Sequence, residues 1–147
     1  MNGALPGSLT RSGADSARRA LARVMVVAAM AAATAAGAAS PQELVANYSA
    51  LAGSPADPVR GERLFVTSHG REWRCATCHG AVPNGNGRHA ATGREIAALA
   101  PAAHAGRLSD PAKVEKWFKR NCNDVLGREC SAGEKADVLA WLIAVKP

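Results

Sequence analysis

The sequence predicts an all-α domain, and three observations carry that prediction. Serine or aspartate followed by proline or a glutamate partner marks a helix start at four places. Apolar residues after these starts fall at helical spacing. No stretch of any length alternates polar and apolar residues as a half-buried strand does.

Ser40-Pro41-Gln42-Glu43 is a capping box with proline at the first helical position. It opens a short helix bearing Leu44, Val45, Tyr48 and Leu51, which Gly53-Ser54-Pro55 ends. Asp57-Pro58 starts a second helix through about Thr67, with Leu64 and Phe65 on its apolar side. Gly61 lies one turn before Phe65, where a missing side chain lets another helix approach; the expected partner is Trp141-Leu142. Beyond the loop Pro83-Asn84-Gly85-Asn86-Gly87, Thr92 to Ala100 is expected to hold a short helix stopped by Pro101. Asp110-Pro111 opens a helix to about Leu126 that ends at Gly127. A second capping box, Ser131-Ala132-Gly133-Glu134, leads a final helix with Val138, Leu139, Trp141, Leu142 and Val145.

Residues 1–38 read as a cleavable secretory signal peptide, leaving one domain over 39–147. Arg11, Arg18, Arg19 and Arg23 make the segment basic, Val24 to Ala36 is its apolar core, and Ala36-Gly37-Ala38 supplies small residues for cleavage. The apolar run is short for a membrane span. Export to the bacterial periplasm follows, and that compartment permits disulfides. The segment holds four of the eighteen basic residues and one of the twelve acidic ones, so its removal takes the formal charge from +6 to +3. No basic stripe interleaved with aromatics remains, which excludes a nucleic-acid partner despite a whole-chain pI near 9.6.

Cys75-Ala76-Thr77-Cys78-His79 is the stretch around which the domain is organised. Two cysteines three apart with histidine directly after are what covalent attachment of haem c requires. Each thiol adds to one vinyl group, and His79 then lies beneath the iron as proximal ligand. A redox Cys-x-x-Cys pair would need a βαβ context that is missing here. A zinc site would recruit Cys122 and Cys130, whose spacing of eight is poor for a zinc ribbon. The domain is thus one small helical unit wrapped around a single haem.

A second iron ligand is less obvious. Met1, Met25 and Met30 all lie in the signal peptide, so the mature chain has no methionine to close the iron. His69, His89 and His104 sit in loop-like sequence, where solvated side chains are the simpler reading. On the Pro111 helix, Val114, Trp117, Phe118, Asn121, Cys122 and Val125 form one apolar stripe, with Asn121 in its middle. Asn123 shares the opposite side with Lys116, Lys119 and Arg120. A buried asparagine without a partner costs about 1–3 kcal/mol, so Asn121 needs either a backbone hydrogen bond or a metal. Spacing alone leaves both open. Cys122 and Cys130 are an even remainder in an exported chain, and a disulfide pinning the stripe helix to the last one is the default.

Several runs resemble the Sphaeroides haem protein (SHP) family of oxygen-binding c-type cytochromes. They are Val114 to Asn123, Gly127-Arg128-Glu129-Cys130, Gly133 to Asp137, Thr92 to Ile96, and Pro55 to Phe65. The resemblance spans essentially the mature chain and departs chiefly in the loop from Ala81 to Ala91, which touches no ligand position. It implies a class I cytochrome c fold, with haem held by His79 and by an asparagine that maps onto Asn121. The family's disulfide maps onto Cys122 and Cys130. It also implies that Asn121 leaves on reduction, so that ferrous haem binds O2 or NO, and that a dihaem cytochrome c and a membrane cytochrome b donate the electrons. Two other functions compete: a one-electron carrier with a closed bis-histidine haem through His89 or His104, and a domain in which haem only staples the fold.

Overall fold

The computed structural model describes Met1, Gly3 and residues 39–147, so the predicted signal peptide lies otherwise outside the described residues. Among the described residues, five helices and one minimal hairpin follow in order: α1 (Pro41–Ala52), α2 (Pro58–Val66), α3 (Cys75–His79), β1 (Gly87–Arg88), β2 (Glu95–Ile96), α4 (Pro111–Leu126) and α5 (Ala132–Ala144). No described helix is long and apolar enough to cross a membrane.

The four longer helices begin where the caps require. Ser40 Oγ accepts from Glu43 N at 3.1 Å while Glu43 returns a carboxylate to Ser40 N, and Ser131 with Glu134 repeats the arrangement. Asp57 Oδ1 accepts from Val59 N at 2.8 Å and Asp110 Oδ1 from Lys113 N at 3.0 Å, each with proline in the first turn. Glycines in the left-handed region stop α1 (Gly53, φ +66°) and α4 (Gly127, φ +71°).

Helix α5 is the hub, packing along both α1 and α2. Phe65, Ala100, Val138, Trp141, Leu142 and Val145 form one buried cluster; Leu44, Val114 and Leu139 form another. Leu108 and Phe118 pack against both clusters. The expected glycine crossing is present. A Cβ on Gly61 would overlap the Asp137 carbonyl group and lie 2.8 Å from Val138 N. One turn on, the Phe65 and Trp141 rings meet with centroids 4.8 Å apart. Gly61 therefore abuts the turn before Trp141-Leu142, and Phe65 makes the aromatic contact. Beside this crossing the buried Asp137 accepts Arg60 Nε at 2.8 Å, Arg60 Nη2 at 2.9 Å and Asp57 N at 2.6 Å. That bidentate pair ties α2 to α5.

Two expectations need correction. Thr92 to Ala100 holds no helix: Glu95–Ile96 pairs antiparallel with Gly87–Arg88, in the register Gly87 with Ile96 and Arg88 with Glu95. Gly93 turns the chain at φ +66°, and the Asn86 carboxamide bridges Glu95 Oε1 (3.0 Å) and Ala98 N (3.1 Å). These bonds compete with helical ones and win locally. Trp117, placed on the apolar stripe, is 44% exposed, with the Arg120 guanidinium 5.7 Å from its ring centre.

Candidate functional site

The Cys-x-x-Cys-His segment forms the single-turn helix α3. Thr77 Oγ1 accepts from Arg74 N at 3.1 Å at its start, and Gly80, at φ +77°, closes it with its N–H donating to Ala76 O at 2.9 Å. This brings Cys75, Cys78 and His79 together on one turn. The β1 strand lies directly beneath. A Cβ on Gly87 would overlap Cys78 O and sit 3.0 Å from the His79 Cα, so only glycine admits this approach. Ala90 N further donates to Cys78 Sγ at 3.3 Å.

The chemistry of these three side chains suits covalent haem and not thiol redox. Cys75 and Cys78 are free and half-buried. Burial, and less strongly Cys78, push the Cys75 thiol up to about 11, the reverse of what an exchanging Cys-x-x-Cys pair needs. Burial, and secondarily the Arg107 charge, push the His79 imidazole down, which favours the neutral form that can ligate a metal. Neither His79 ring nitrogen has a hydrogen-bond partner among the described residues, whereas the other three rings are engaged locally. His69 Nε2 meets Leu64 O at 2.8 Å, and His104 Nδ1 meets Ala105 O at 3.0 Å. His89 Nδ1 accepts from Thr92 N at 3.3 Å beside the Trp73 ring, on the loop that packs on Cys78. Phe65 backs His79 with ring centroids 6.1 Å apart.

Cys75 and Ala76 pack on the same buried cluster as several apolar side chains of the later chain. Helix α4 makes only sparse backbone contact with any other element, although Val114, Cys122 and Val125 along it are buried. Leu99, Leu108 and Phe118 are partly buried apolar side chains against the core. Cys122 and Cys130 are disulfide-bonded, with Cα atoms 5.5 Å apart, which removes both from any zinc set. No group of three or more potential metal-ligating His, Cys, Asp or Glu side chains occurs among the described residues.

Asn121 sits half-buried on α4, next to Cys122, and its carboxamide makes no hydrogen bond among the described residues. Asn123 is exposed, and its Nδ2 donates to Lys119 O at 2.6 Å. The two asparagines are thus sorted as the helical period implies. No hydrogen bond links Asn121 to α3 among the described residues. Sequence reasoning missed Gly87, whose glycine-rich loop was a visible signal, and Arg107, which had none. The Arg107 guanidinium is held by Ala98 O at 2.9 Å and Ala97 O at 3.0 Å.

A helical domain closed by an α2–α5 crossing, with two thiols and a histidine gathered on one short turn, is a class I c-type cytochrome carrying one covalent haem. Its relatives narrow this further. The chain belongs to the Sphaeroides haem protein (SHP) family. The cytochrome c-type protein SHP of Cereibacter sphaeroides is 52% identical over 113 residues, covering 74% of this chain and 87% of that protein. The structure of oxidised SHP, an oxygen-binding cytochrome c, matches with a TM-score of 0.70 at 52% identity, covering 74% of this chain and 99% of that one. Oxidised cytochrome c'' from Methylophilus methylotrophus matches with a TM-score of 0.62 at 36% identity, covering 73% of this chain and 95% of that one. A family profile described as a domain of unknown function, DUF1924, matches residues 51–142.

Proposed function

We propose that this monohaem cytochrome works in the periplasm, accepts electrons, and binds O2 or NO at ferrous haem once Asn121 has left the iron. Cys75 and Cys78 carry the thioether bonds, His79 is the proximal ligand and Asn121 the displaceable distal one. A dihaem cytochrome c and a membrane cytochrome b are the donors that the family resemblance implies, and nucleic acid has no part in this reading. Haem supplies one-electron chemistry and a sixth position that a small ligand can occupy.

The supporting observation is the contrast between two neighbouring asparagines. Asn121 is half-buried on the apolar side of α4 and its carboxamide makes no hydrogen bond among the described residues, while Asn123 is satisfied by its own helix. The Asn121 amide oxygen is not taken up by its own helix, which leaves it available as a donor to iron. The amide oxygen is neutral, so ferric iron holds it more strongly than ferrous iron does. After release its N–H2 group is free to donate to a bound gas. A bis-histidine alternative draws less support: His89 Nδ1 accepts from Thr92 N, and His104 is exposed on its loop.

Asn121→Ala tests this. The haem stays attached, the ferric spectrum becomes high-spin or water-bound, the ferrous spectrum barely changes, and the gas complex decays faster. Asn123→Ala leaves all four unaltered. A ferric spectrum that stays low-spin in Asn121→Ala would place the ligand elsewhere.

A further inference from the structure

Few close backbone contacts hold α4 in place, and one of its side-chain ties is a single carboxylate reached from two other helices. Glu115 accepts the Tyr48 hydroxyl of α1 at 2.6 Å and the Lys135 ammonium of α5 at 2.6 and 2.9 Å. Lys135 is only 9% exposed, and its ammonium lies 5.4 Å from the Tyr48 ring centre. Phe118, one turn along α4, packs edge-on against the same tyrosine at 6.2 Å. The other end of the helix is tied by the Cys122–Cys130 disulfide and an exposed Lys119–Glu129 pair at 3.7 Å. Asn121 lies between the two ties, about 9 Å along the axis from Glu115 at 1.5 Å per residue.

Such an ion pair adds little net stability over apolar groups of similar size, because removing charges from water offsets their attraction. What it supplies is orientation. Hydrogen bonds arriving from α1 and α5 add direction to the apolar packing of Val114 and Phe118, on a helix with few close backbone contacts. The directions of the neighbouring ionisations agree. Lys135 and Tyr48 hold the Glu115 carboxyl below its usual range, and burial followed by Glu115 raises the Tyr48 phenol.

We propose that Glu115, clamped by Tyr48 and Lys135, is a positioning residue for Asn121: it sets where α4 rests and hence how readily the distal ligand leaves the iron. The inference rests on the reading of Asn121 given above. Glu115→Gln keeps the shape and the tyrosine contact but leaves the Lys135 charge uncompensated, so α4 shifts. Lys135→Met leaves no buried charge behind, since the Glu115 side chain is half-exposed, and removes the α5 side of the clamp.

The experiment mixes ferric holoprotein with azide by stopped flow and records the high-spin fraction and melting temperature of each variant. Both Glu115→Gln and Lys135→Met raise the azide association rate and the high-spin equilibrium about tenfold, within the range that coupling between sites spans. In an Asn121→Ala background neither substitution changes the azide rate further. The proposal is overturned if both variants lose thermal stability yet bind azide like the parent while Asn121→Ala alone binds it faster, because Glu115 is then structural only. It is also overturned if Asn121→Ala itself leaves azide binding and spin state unaltered, and in that case the ligand assignment falls with it.

Discussion

Gly61→Ala sets two well-measured effects against each other, and the structure says which prevails. In an open helix the change would stabilise by about 1 kcal/mol, because alanine is the better helix former. Here the new methyl would overlap the Asp137 carbonyl group and lie 2.8 Å from Val138 N, where comfortable heavy-atom separations are about 3.5–4.0 Å. The obstacle is backbone inside a helix, so no rotamer change relieves it. Helices α2 and α5 must part by about 1 Å or more, which loosens the Phe65–Trp141 contact and stretches the Arg60–Asp137 pair. Overpacking of this kind costs about 1–3 kcal/mol, and loss of even half the burial of one Phe adds about 1 kcal/mol. The net expectation is a loss of about 2 kcal/mol, or a melting temperature about 8 °C lower for a domain of this size. Thermal unfolding of haem-loaded protein, followed at once by far-ultraviolet circular dichroism and by the Soret band, measures it. An unchanged or raised melting temperature would refute the reasoning, since it would mean the crossing yields without cost.

Two further outcomes follow from the last two helices. Removing the Cys122–Cys130 bridge by paired serine substitution lowers stability by about 2.5 kcal/mol, the chain-entropy value for so short a loop. Urea midpoints measure this, and two alkylatable thiols in non-reduced protein would remove its basis. Glu134 is held down to about 2 from 4.5, first by its hydrogen bonds with Arg128 (2.7 Å each) and further by Ser131. A lowered folded-state value means stability that is present above about 4.5 and lost as the pH falls toward 2. Glu134→Gln preserves the capping box and removes the charge, so its melting-temperature deficit at pH 7 should close across that window. A deficit independent of pH would assign the effect to packing.

Much of the architecture is legible because it is written in neighbouring residues. Ser40 with Glu43, Asp57 with Pro58, Asp110 with Pro111 and Ser131 with Glu134 each declare a helix start within four positions. The Cys75–His79 turn is likewise local. Gly61 was readable as a gap, but its contact with the Asp137 carbonyl depends on how two helices slide, which spacing alone does not express. The hairpin at Gly87–Arg88 escaped because a two-residue strand has no period to detect. Trp117 escaped for a different reason. It falls at the margin of the stripe, where the Arg120 guanidinium offers its ring an alternative to burial. Asp137 and Lys135, both buried and charged, depend on partners at least 20 residues away, and no local rule announces them.

The uneven packing of α4 bears on how the protein matures. Helices α1, α2 and α5 enclose Phe65, Leu139 and Trp141, and Asp137 ties α2 to α5, so they can form a cooperative unit by themselves. The turn bearing Cys75 and Cys78 packs on that unit through Cys75, Ala76 and the Phe65–His79 contact, whereas α4 makes few backbone contacts with any element. A ligation machinery approaching the two thiols therefore meets a prefolded half and a yielding half, and attachment of haem becomes the step that completes the second.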